Sequence, residues 1–334
     1  MRTSTLLLAL LAVGLVAGCG KKTETDSSAA SATNHRTKIR FQTDWFPQPE
    51  HGGYYQAVAR GYYAEEGLDV EIVRGGPNAQ VMASVATGRA QIGMTNGDDT
   101  IVAIGRGVPI KMVAAEMQRD AQGILYHNEN PIRDLRDLDG KTIMAGAGSI
   151  WLQVAQKKLG IRFNIQPLVG DLGRFMNDKK FIQQCFVTNE PFFVRQRGAD
   201  AGALLIARPG EYEPYRVIFT SEAFLVENPE AVRRFVRASI RGWIDYLTSD
   251  PSPGNKLIKE ARTDLPDELF AYSIKAMKDY QLVLGDPARG EKMGQLTAAR
   301  LETQLKLLND LGFLERPLTV KDVATFELLP PESR

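Results

Sequence analysis

The sequence predicts an α/β protein of two lobes. Each lobe would hold a mostly parallel sheet flanked by helices, and a helical C-terminal part would lie on the first lobe. Three observations support this. Short apolar strand segments alternate with segments of helix length, the alternation restarts near Gly140, and the pattern beyond residue 220 is almost entirely helical. Strands separated by helices form right-handed βαβ units, and a chain of 334 residues can bury two cores.

The first series of elements begins with a strand at 38–44, in which Ile39 and Phe41 share one face. A helix at 51–66 follows and ends at Gly67. A turn rich in Gly and Pro then leads into a helix that Asn78 is expected to cap, and another helix begins near Asp98. The remaining strands of this series are predicted at 68–73, 90–95 and 109–115.

The second series opens with a strand, a glycine turn at 146–149 and a helix at 150–159. Its strands are predicted at 141–145, 165–169, 183–187, 203–207 and 216–220. The helical part that follows is predicted at 229–249, 255–262, 266–284 and 291–311. Two α/β units followed by helices favour a bilobed protein with a cleft over a single large sheet.

The N-terminus resembles the signal of an exported lipoprotein. Arg2 precedes an apolar run at 6–17, which is too short to span a bilayer and is typical of a signal-peptide core. The run ends in Leu15-Val16-Ala17-Gly18-Cys19, which resembles a bacterial lipobox. We therefore expect a signal peptide at 1–18, diacylation of Cys19 and a flexible tether at 19–37. The alternative is an ordinary cleaved signal with an incidental cysteine.

Composition argues against several kinds of partner. The formal net charge is +1, and no basic stripe suggests a nucleic acid. With Cys19 acylated, Cys185 is the other cysteine, so no disulfide is expected. One free cysteine and three scattered histidines do not make a metal cluster, and we expect neither a metal nor a cofactor. We expect a monomer.

Candidate ligand-binding residues follow from the predicted sheets. In open parallel sheets, ligands bind at the carboxyl ends of strands, where helix N-termini point free N–H groups into the crevice. Four segments of this sequence lie between a strand end and a helix start. The candidates they supply are Asp44, Trp45, His51, Tyr54, Thr95, Asn96, Gly148, Ser149, Asn189 and Glu190.

Several of these residues have a purely structural alternative. Trp45 could belong to the core, and His51 could simply start its helix. Asp98 and Ser149 suit helix capping, which is the expected role of Asp98. Glu190 precedes a proline suited to the first helical turn, so it would lie at or near a helix cap.

From Lys38 onward the sequence resembles a known family. The motifs that carry the likeness are Trp45-Phe46-Pro47, His51-Gly52-Gly53-Tyr54, the stretch 61–70, Gly88-Arg89-Ala90, Gly107-Val108-Pro109, Leu138-Asp139-Gly140, Asn189-Glu190-Pro191 and Asn228-Pro229-Glu230. Together they resemble the periplasmic-binding proteins related to the thiamine-pyrimidine synthases, the SsuA/ThiY-type solute-binding proteins of ABC importers.

This resemblance implies a type II periplasmic-binding-protein fold. Lobe one would comprise 38–124 plus 222–334, and lobe two 125–221. The partners would be a small-molecule ligand and a membrane permease, with the protein anchored outside the cytoplasm. Relatives bind thiamine pyrimidine precursors, riboflavin, sulfonates, taurine or nitrate. The positions of Trp45 and Glu190 match those that stack on and hydrogen-bond to a pyrimidine.

The residues themselves allow some choice among these ligands. A buried Glu190 beside an anion is costly unless paired, so an aromatic amino-heterocycle suits Trp45, Tyr54 and Glu190 better than a sulfonate or nitrate does. A pyrimidine is favoured, with riboflavin as the alternative. A pyrimidine-forming enzyme is a rival class, but its relatives carry a cysteine-rich iron-binding stretch where this chain has one cysteine, Cys185. A ligand sensor is a further alternative.

Overall fold

The computed structural model describes residues 36–77, 79–146 and 148–333. The predicted signal peptide, Cys19 and nearly all of the predicted tether lie outside these residues. The described strands form two five-stranded sheets.

The first sheet has the strand order β2-β1-β3-β10-β4. Its strands are β1 Thr37–Gln42, β2 Leu68–Val73, β3 Ile92–Asn96, β4 Ile110–Met117 and β10 Arg216–Ser221. β1 pairs in parallel with β2 and β3, whereas β10 runs antiparallel to both β3 and β4. Ile39 and Phe41 of β1 are buried and alternate with exposed neighbours, as a strand with one face on the core requires.

The second sheet has the same pattern, in the order β7-β6-β8-β5-β9. Its strands are β5 Gln122–His127, β6 Thr142–Ala145, β7 Asn164–Pro167, β8 Ile182–Phe186 and β9 Ala201–Leu205. β6 is parallel to β7 and β8, and β5 is antiparallel to β8 and β9. In each sheet the antiparallel strand is therefore the one that enters directly from the other sheet.

Helices flank both sheets and make up the C-terminal part. The α-helices are α1 Gly52–Ala59, α2 Tyr62–Glu65, α3 Val81–Ala86, α4 Gly97–Gly105, α5 Ile150–Leu159, α6 Gly173–Asn177, α7 Glu190–Gln196, α8 Glu222–Glu227, α9 Pro229–Thr248, α10 Ser252–Ala261, α11 Asp267–Asp279, α12 Ala298–Asp310 and α13 Val320–Val323. Short 3₁₀ helices span Pro49–His51, Leu135–Leu138, Pro287–Arg289 and Pro331–Ser333.

α1 is held against α9 by a close approach of their backbones. A Cβ atom on Gly242 of α9 would lie 2.2 Å from the Gly53 carbonyl oxygen, and a Cβ on Gly53 would meet the Trp243 ring at 2.2 Å. Only glycine fits such contacts, since real side chains need more than 3 Å. This packing fixes the start of α1, and with it the segment that carries the candidate residues after β1.

The structure confirms the predicted α/β fold class of two sheets flanked by helices. Both sheets are mixed rather than mostly parallel, because β10 and β5 each run antiparallel to their two neighbours. The strand at 68–73 and the helix at 150–159 match the structure residue for residue. The predicted helix at 51–66 is instead two helices, because Gly61 between them takes a φ of 77°. The sequence did not indicate β5, whose segment is short and half polar.

One predicted lobe boundary is corrected by the sheet pairing. Residues 125–221 were assigned to lobe two, but β10 pairs with β3 and β4 of the first sheet. The chain therefore returns to the first sheet before Arg216, not at residue 222. Similarly, β5 already belongs to the second sheet from Gln122 onward.

Candidate functional site

Arg216, the first residue of β10, is the centre of a buried charge cluster. Its Nη2 contacts Asp44 Oδ2, its Nε lies 3.3 Å from Glu116 Oε2, and its Nη1 lies 3.6 Å from Asp120 Oδ2. The guanidinium, Glu116 and Asp120 are almost fully buried, whereas Asp44 keeps a fifth of its side chain exposed. One cation thus faces three carboxyl groups.

The sheet topology explains how these residues meet. β3 and β4 both end at one edge of the first sheet, and β10 runs antiparallel between them, so β10 begins at that edge. In register, Arg216 lies opposite Asn96 on one side and Met117 on the other. Asp44 follows the end of β1, and Asp120 follows the end of β4.

Burial and the neighbouring charges shift the pKa values of these groups in different directions. Burial raises the pKa of Glu116 to about 8, although Arg216 opposes the shift. Burial would also raise the pKa of Asp44, but Arg216 and His51 outweigh it and hold this pKa below its ordinary value. Burial disfavours the charged guanidinium, yet the carboxyls of Asp44, Asp120 and Glu116 raise the pKa of Arg216 above its ordinary value. Glu116 is therefore largely protonated at neutral pH, and Asp44 is ionised.

The segment between β1 and α1 adds further buried polar groups. It carries Gln48 and the 3₁₀ helix Pro49–His51, and its Glu50 and His51 side chains are each 2% exposed. The Thr188 hydroxyl donates a hydrogen bond to Glu50 Oε1, which links this segment to the residues after β8 in the second sheet. His51 Nε2 lies 3.8 Å from Asp44 Oδ1.

Several polar atoms of this region are buried without a hydrogen-bond partner. Asp44, Glu50 and Glu116 each engage one carboxyl oxygen and leave the other unpartnered. The same is true of other side-chain atoms nearby, which are Gln48 Oε1, His51 Nδ1 and the Tyr54 hydroxyl. Most buried polar groups in proteins are paired, so a concentration of unpaired ones is typical of a place where water or a solute supplies the partners.

Glu190 lies on the other side of the cleft, as the first residue of α7. Its Oε2 accepts a hydrogen bond of 2.7 Å from the backbone N–H of Phe186, and its Oε1 accepts one of 3.3 Å from Asn189 Nδ2. Burial, opposed by the Phe186 N–H and reinforced by the Glu50 carboxyl, raises the pKa of Glu190 to about 7. The carboxyl group thus holds the end of β8 in place and changes its protonation near neutral pH.

Aromatic side chains from both lobes border the charged groups. The half-buried Trp45 ring packs edge-to-face on Phe46, with centroids 5.6 Å apart. From the second lobe, the Phe186 ring lies 5.2 Å from the Arg216 guanidinium. Tyr54, in contrast, is fully buried between Phe41 and Trp243, so its ring belongs to the core of the first lobe.

The other predicted residues lie at the ends of β3 and β6. Half-buried Thr95 is in β3. The Asn96 side-chain oxygen caps α4 by accepting hydrogen bonds from the Asp98 and Asp99 N–H groups. The Asn96 amide nitrogen donates a hydrogen bond of 2.7 Å to Asp120. Asp98 was expected to be the cap; it instead accepts from Tyr212 and Gln304, since Asn96 already occupies the cap position.

The glycine turn before α5 supplies the remaining predicted positions. Gly148 lies in this turn, and Ser149 is the N-cap residue of α5 but makes no side-chain capping bond. Burial and the neighbouring Asp98 carboxyl raise the pKa of Asp99 to about 7, against the opposing effect of the Ile150 N–H at the start of α5. The first lobe therefore contacts the N-terminus of α5 through Asp99.

Sequence reasoning missed Glu50, Glu116, Asp120 and Arg216. It looked for strand carboxyl ends but stopped the fourth strand at residue 115, two residues before β4 ends. Arg216 was missed because the start of an antiparallel strand lies at the same edge as the ends of its parallel neighbours. A charged residue directly before the apolar run 217–219 of β10 is the signal that could have found it.

Two searches of the described residues gave no candidates. Within residues 36–77, 79–146 and 148–333, no group of three or more His, Cys, Asp or Glu side chains has a geometry that could hold a metal ion. In the same residues, no helix combines the length and the apolar character needed to cross a membrane.

Comparison with known proteins places the chain in a family. Residues 48–253 match the family model described as NMT1/THI5 like, which covers more than half of the sequence. The chain belongs to this family. The family match includes the segment of Glu50 and His51, all of the second sheet and Arg216.

Relatives in this family include both binding proteins and enzymes. The chain is 27% identical to the riboflavin-binding protein RibY of Chloroflexus aurantiacus, over 95% of this chain and 90% of the relative. It is 22% identical to the formylaminopyrimidine-binding protein of Halalkalibacterium halodurans, over 96% and 98%. It is also 30% identical to the 4-amino-5-hydroxymethyl-2-methylpyrimidine phosphate synthase of Schizosaccharomyces pombe, over 70% and 72%.

Solved structures share the fold. The alkanesulfonate-binding protein SsuA of Xanthomonas axonopodis matches with a TM-score of 0.64 at 13% identity, over 87% of this chain and 99% of that one. This likeness identifies the bilobed periplasmic-binding-protein fold. The order β2-β1-β3-β10-β4 and its counterpart in the second sheet are the features of that fold in this chain.

Proposed function

We propose that this protein is the solute-binding component of an ABC importer, anchored to the membrane through lipidated Cys19. It captures an aromatic amino-heterocycle by closing its two lobes, and it delivers the solute to a membrane permease. The solute we propose is a pyrimidine precursor of thiamine, formylaminopyrimidine or hydroxymethylpyrimidine. The protein acts as a binder and not as an enzyme.

The observation that carries this proposal is the neutralisation of Arg216. A site for a sulfonate or nitrate needs free positive charge or free N–H donors. Here Asp44, Glu116 and Asp120 already surround the guanidinium within 3.6 Å or less. A small anion placed there would meet carboxyl oxygens, which is costly in a buried site. A neutral or cationic solute with N–H donors does not meet this penalty.

The Glu190 carboxyl favours a pyrimidine. A protonated carboxyl group can donate to a ring nitrogen and accept from the adjacent amino group, which makes a paired hydrogen bond with an aminopyrimidine edge. With a pKa of about 7, Glu190 is available in this protonated form near neutral pH. The half-buried Trp45 ring, near the end of β1, can stack on the heterocycle.

Riboflavin is the second candidate. The match to the riboflavin-binding protein RibY extends over 95% of this chain, which supports a flavin as strongly as the formylaminopyrimidine-binding relative supports a pyrimidine. The two solutes differ in their hydrogen-bonding edges. The imide edge of a flavin presents an N–H between two carbonyl oxygens, which would face the carboxyl groups of this site.

The names of the relatives also support a binding role over an enzymatic one. Two binding proteins match this chain over 95% and 96% of its length, whereas the synthase matches over 70%. In the described residues, Cys185 is buried within β8, and burial raises the pKa of its thiol well above its ordinary value. Such a thiol is a poor thiolate donor to iron.

Native mass spectrometry of the purified protein tests the proposed solute. The panel is formylaminopyrimidine, hydroxymethylpyrimidine, riboflavin, taurine and nitrate, each in equimolar competition. A one-to-one complex with a pyrimidine is the expected result. A complex with taurine or nitrate alone would refute the proposal, and stoichiometric iron together with pyrimidine formation would favour the enzyme.

Cell fractionation tests the anchor separately. Cys19→Ser should move the protein from the membrane fraction to the soluble exported fraction, because the thiol that carries the lipid is gone. The wild-type protein should also gain the mass of its acyl chains on Cys19. A membrane-bound Cys19→Ser protein would contradict the lipid anchor and leave the solute proposal intact.

A further inference from the structure

Three carboxyl groups of the first lobe share one unusual pattern. Asp44 Oδ2 and Glu116 Oε2 contact Arg216, and Glu50 Oε1 accepts from Thr188. The second oxygen of each group, Asp44 Oδ1, Glu50 Oε2 and Glu116 Oε1, is buried without a hydrogen-bond partner. The three groups come from two different segments, the loop after β1 and strand β4, so no local turn explains the pattern.

These oxygens belong to one region. Asp44 and Glu116 both contact the Arg216 guanidinium. Burial raises the pKa of Glu50, and the nearby charges of His51 and Arg216 oppose that rise. His51 in turn lies 3.8 Å from Asp44 Oδ1. Two side chains that are not carboxyls, Gln48 and His51, add buried unpartnered atoms on the same segment. The unpartnered atoms are therefore not confined to acidic side chains.

The chemistry of the unpartnered atoms defines what would bind there. The ionised Asp44 carboxylate and the Gln48 amide oxygen accept hydrogen bonds, whereas the protonated Glu116 carboxyl can also donate one. A hydroxyl group suits this mixture, because it both donates and accepts. A bare metal ion is a poor fit, since these side chains do not have the geometry of a metal-ligand group among the described residues. An anion would bring a negative charge against the ionised Asp44.

We propose that Asp44, Glu50 and Glu116 form a donor-binding subsite in the first lobe, which takes a hydroxyl group of the solute. This inference rests on the proposed function, because it assigns one part of the same solute. It places Trp45 on the ring, Glu190 on a ring nitrogen and the adjacent amino group, and the donor-binding subsite on the hydroxyl group. The subsite selects for solutes that carry a hydroxyl group at that end and against those that carry an anionic group.

Calorimetric titration with 4-amino-5-hydroxymethyl-2-methylpyrimidine and two analogues tests the subsite. One analogue lacks the amino group and the other lacks the hydroxyl. Affinity should fall at least tenfold for the analogue that lacks the hydroxyl group, whereas loss of the amino group reports on Glu190. If the analogue without the hydroxyl group binds as tightly as the parent compound, the subsite proposal is overturned. For a flavin, the same comparison is made between the affinities for riboflavin and for lumiflavin, because lumiflavin lacks the hydroxylated chain.

Glu50→Gln is the matching variant. Glutamine keeps the size of the side chain and an oxygen for Thr188, but it replaces the unpartnered oxygen with an NH₂ donor. Binding of the parent pyrimidine should weaken at least tenfold, and the preference for the donor-bearing compound should shrink. Glu129→Gln, at an exposed position paired with Lys179, is the control and should leave binding unchanged.

Asp44→Asn keeps the test decisive if Glu50→Gln does not fold, as judged by circular dichroism. It should show the same loss. Unchanged affinity and unchanged analogue preference in a folded variant would overturn the subsite while leaving the proposed function standing. Failure of the wild-type protein to bind any of these probes would instead overturn the proposed function, and the subsite with it.

Discussion

Thr188 donates a hydrogen bond from its hydroxyl to Glu50 Oε1, and this contact joins the two lobes at the cleft. Thr188 follows β8 of the second sheet, while Glu50 lies between β1 and α1 of the first lobe. A second contact holds Thr188 in place, since the Ser273 hydroxyl of α11 donates a hydrogen bond of 2.7 Å to the Thr188 carbonyl oxygen. The residues after β8 are thus held to the first lobe from two sides.

Removing the Thr188 hydroxyl should therefore weaken solute binding. Thr188→Val keeps the side-chain shape but leaves Glu50 Oε1 buried without a partner, a cost of about 1–3 kcal/mol that falls on the closed form. We expect affinity to drop about fivefold or more in calorimetry. Thr303→Val, in an exposed turn of α12, is the control and should bind normally. Equal affinity in Thr188→Val and wild type would show that this contact does not contribute to closure.

Arg216 should be essential for stability as well as for the site. Arg216→Met removes the cation from three carboxyl groups and leaves them buried and uncompensated. Breaking a buried ion pair in this way typically costs about 3–5 kcal/mol. We expect a loss of this size in the free energy of unfolding by urea.

A surface ion pair provides the comparison. Lys306 and Asp310 form an exposed pair one helical turn apart in α12. Lys306→Gln should change the free energy of unfolding by about 0.5 kcal/mol or less. If Arg216→Met lowers the free energy of unfolding by no more than this control does, the charge cluster has a different organisation from the one described.

Stability should fall as pH rises from about 5 to about 8.5. Burial raises the pKa of Glu116 to about 8 and that of Asp98 to about 7, so the folded protein binds more protons than the unfolded chain in this range. A group with a raised pKa contributes stability that is complete below its unfolded value and is lost as pH passes the folded value. The pKa of Asp44 is lowered in the folded protein, so Asp44 makes stability rise with pH. That effect occurs at a more acidic pH than this range.

Urea unfolding at pH 5.5, 7.0 and 8.5 measures this dependence. The free energy of unfolding should decrease across the series, and Glu116→Gln should flatten the decrease because glutamine does not titrate. A free energy that increases between pH 5.5 and 8.5 would contradict the assigned protonation of the buried carboxyls.

Trp45 and Glu190 should each contribute to solute affinity. Trp45→Ala removes ring stacking and Glu190→Gln removes the carboxyl group that pairs with the amino-heterocycle, each worth about 1–3 kcal/mol. Each variant should bind about tenfold or more weakly in calorimetry. Val226→Ala, at a side chain 80% exposed in α8, should bind as wild type does. Retained affinity in both site variants would place the solute elsewhere.

Much of the fold followed from the sequence because its signals are local. The alternation of β2 and the glycine that ends α5, Gly160, are signals read from neighbouring residues, and both elements were predicted to the residue. The antiparallel strands were harder, since β10 owes its position to pairing with β3 and β4, which are far away in sequence.

The site was predicted less completely, for a related reason. The rule that ligands bind at strand ends selected Asp44, Asn96 and Glu190, because each lies at the end of a strand or a few residues beyond it. It did not find Glu50 and Arg216, whose roles depend on contacts across 138 and 172 positions of sequence. Such pairings are set by the assembled topology, and no local pattern reports them.

The central claim is that the cleft binds an amino-heterocycle because its guanidinium is already occupied. Calorimetric titration of the purified protein with hydroxymethylpyrimidine, and separately with taurine, tests this claim most directly. We predict saturable one-to-one binding of the pyrimidine and no measurable heat of binding with taurine. Tight binding of taurine without binding of the pyrimidine would contradict the claim, because it would require Arg216 to be free for an anion.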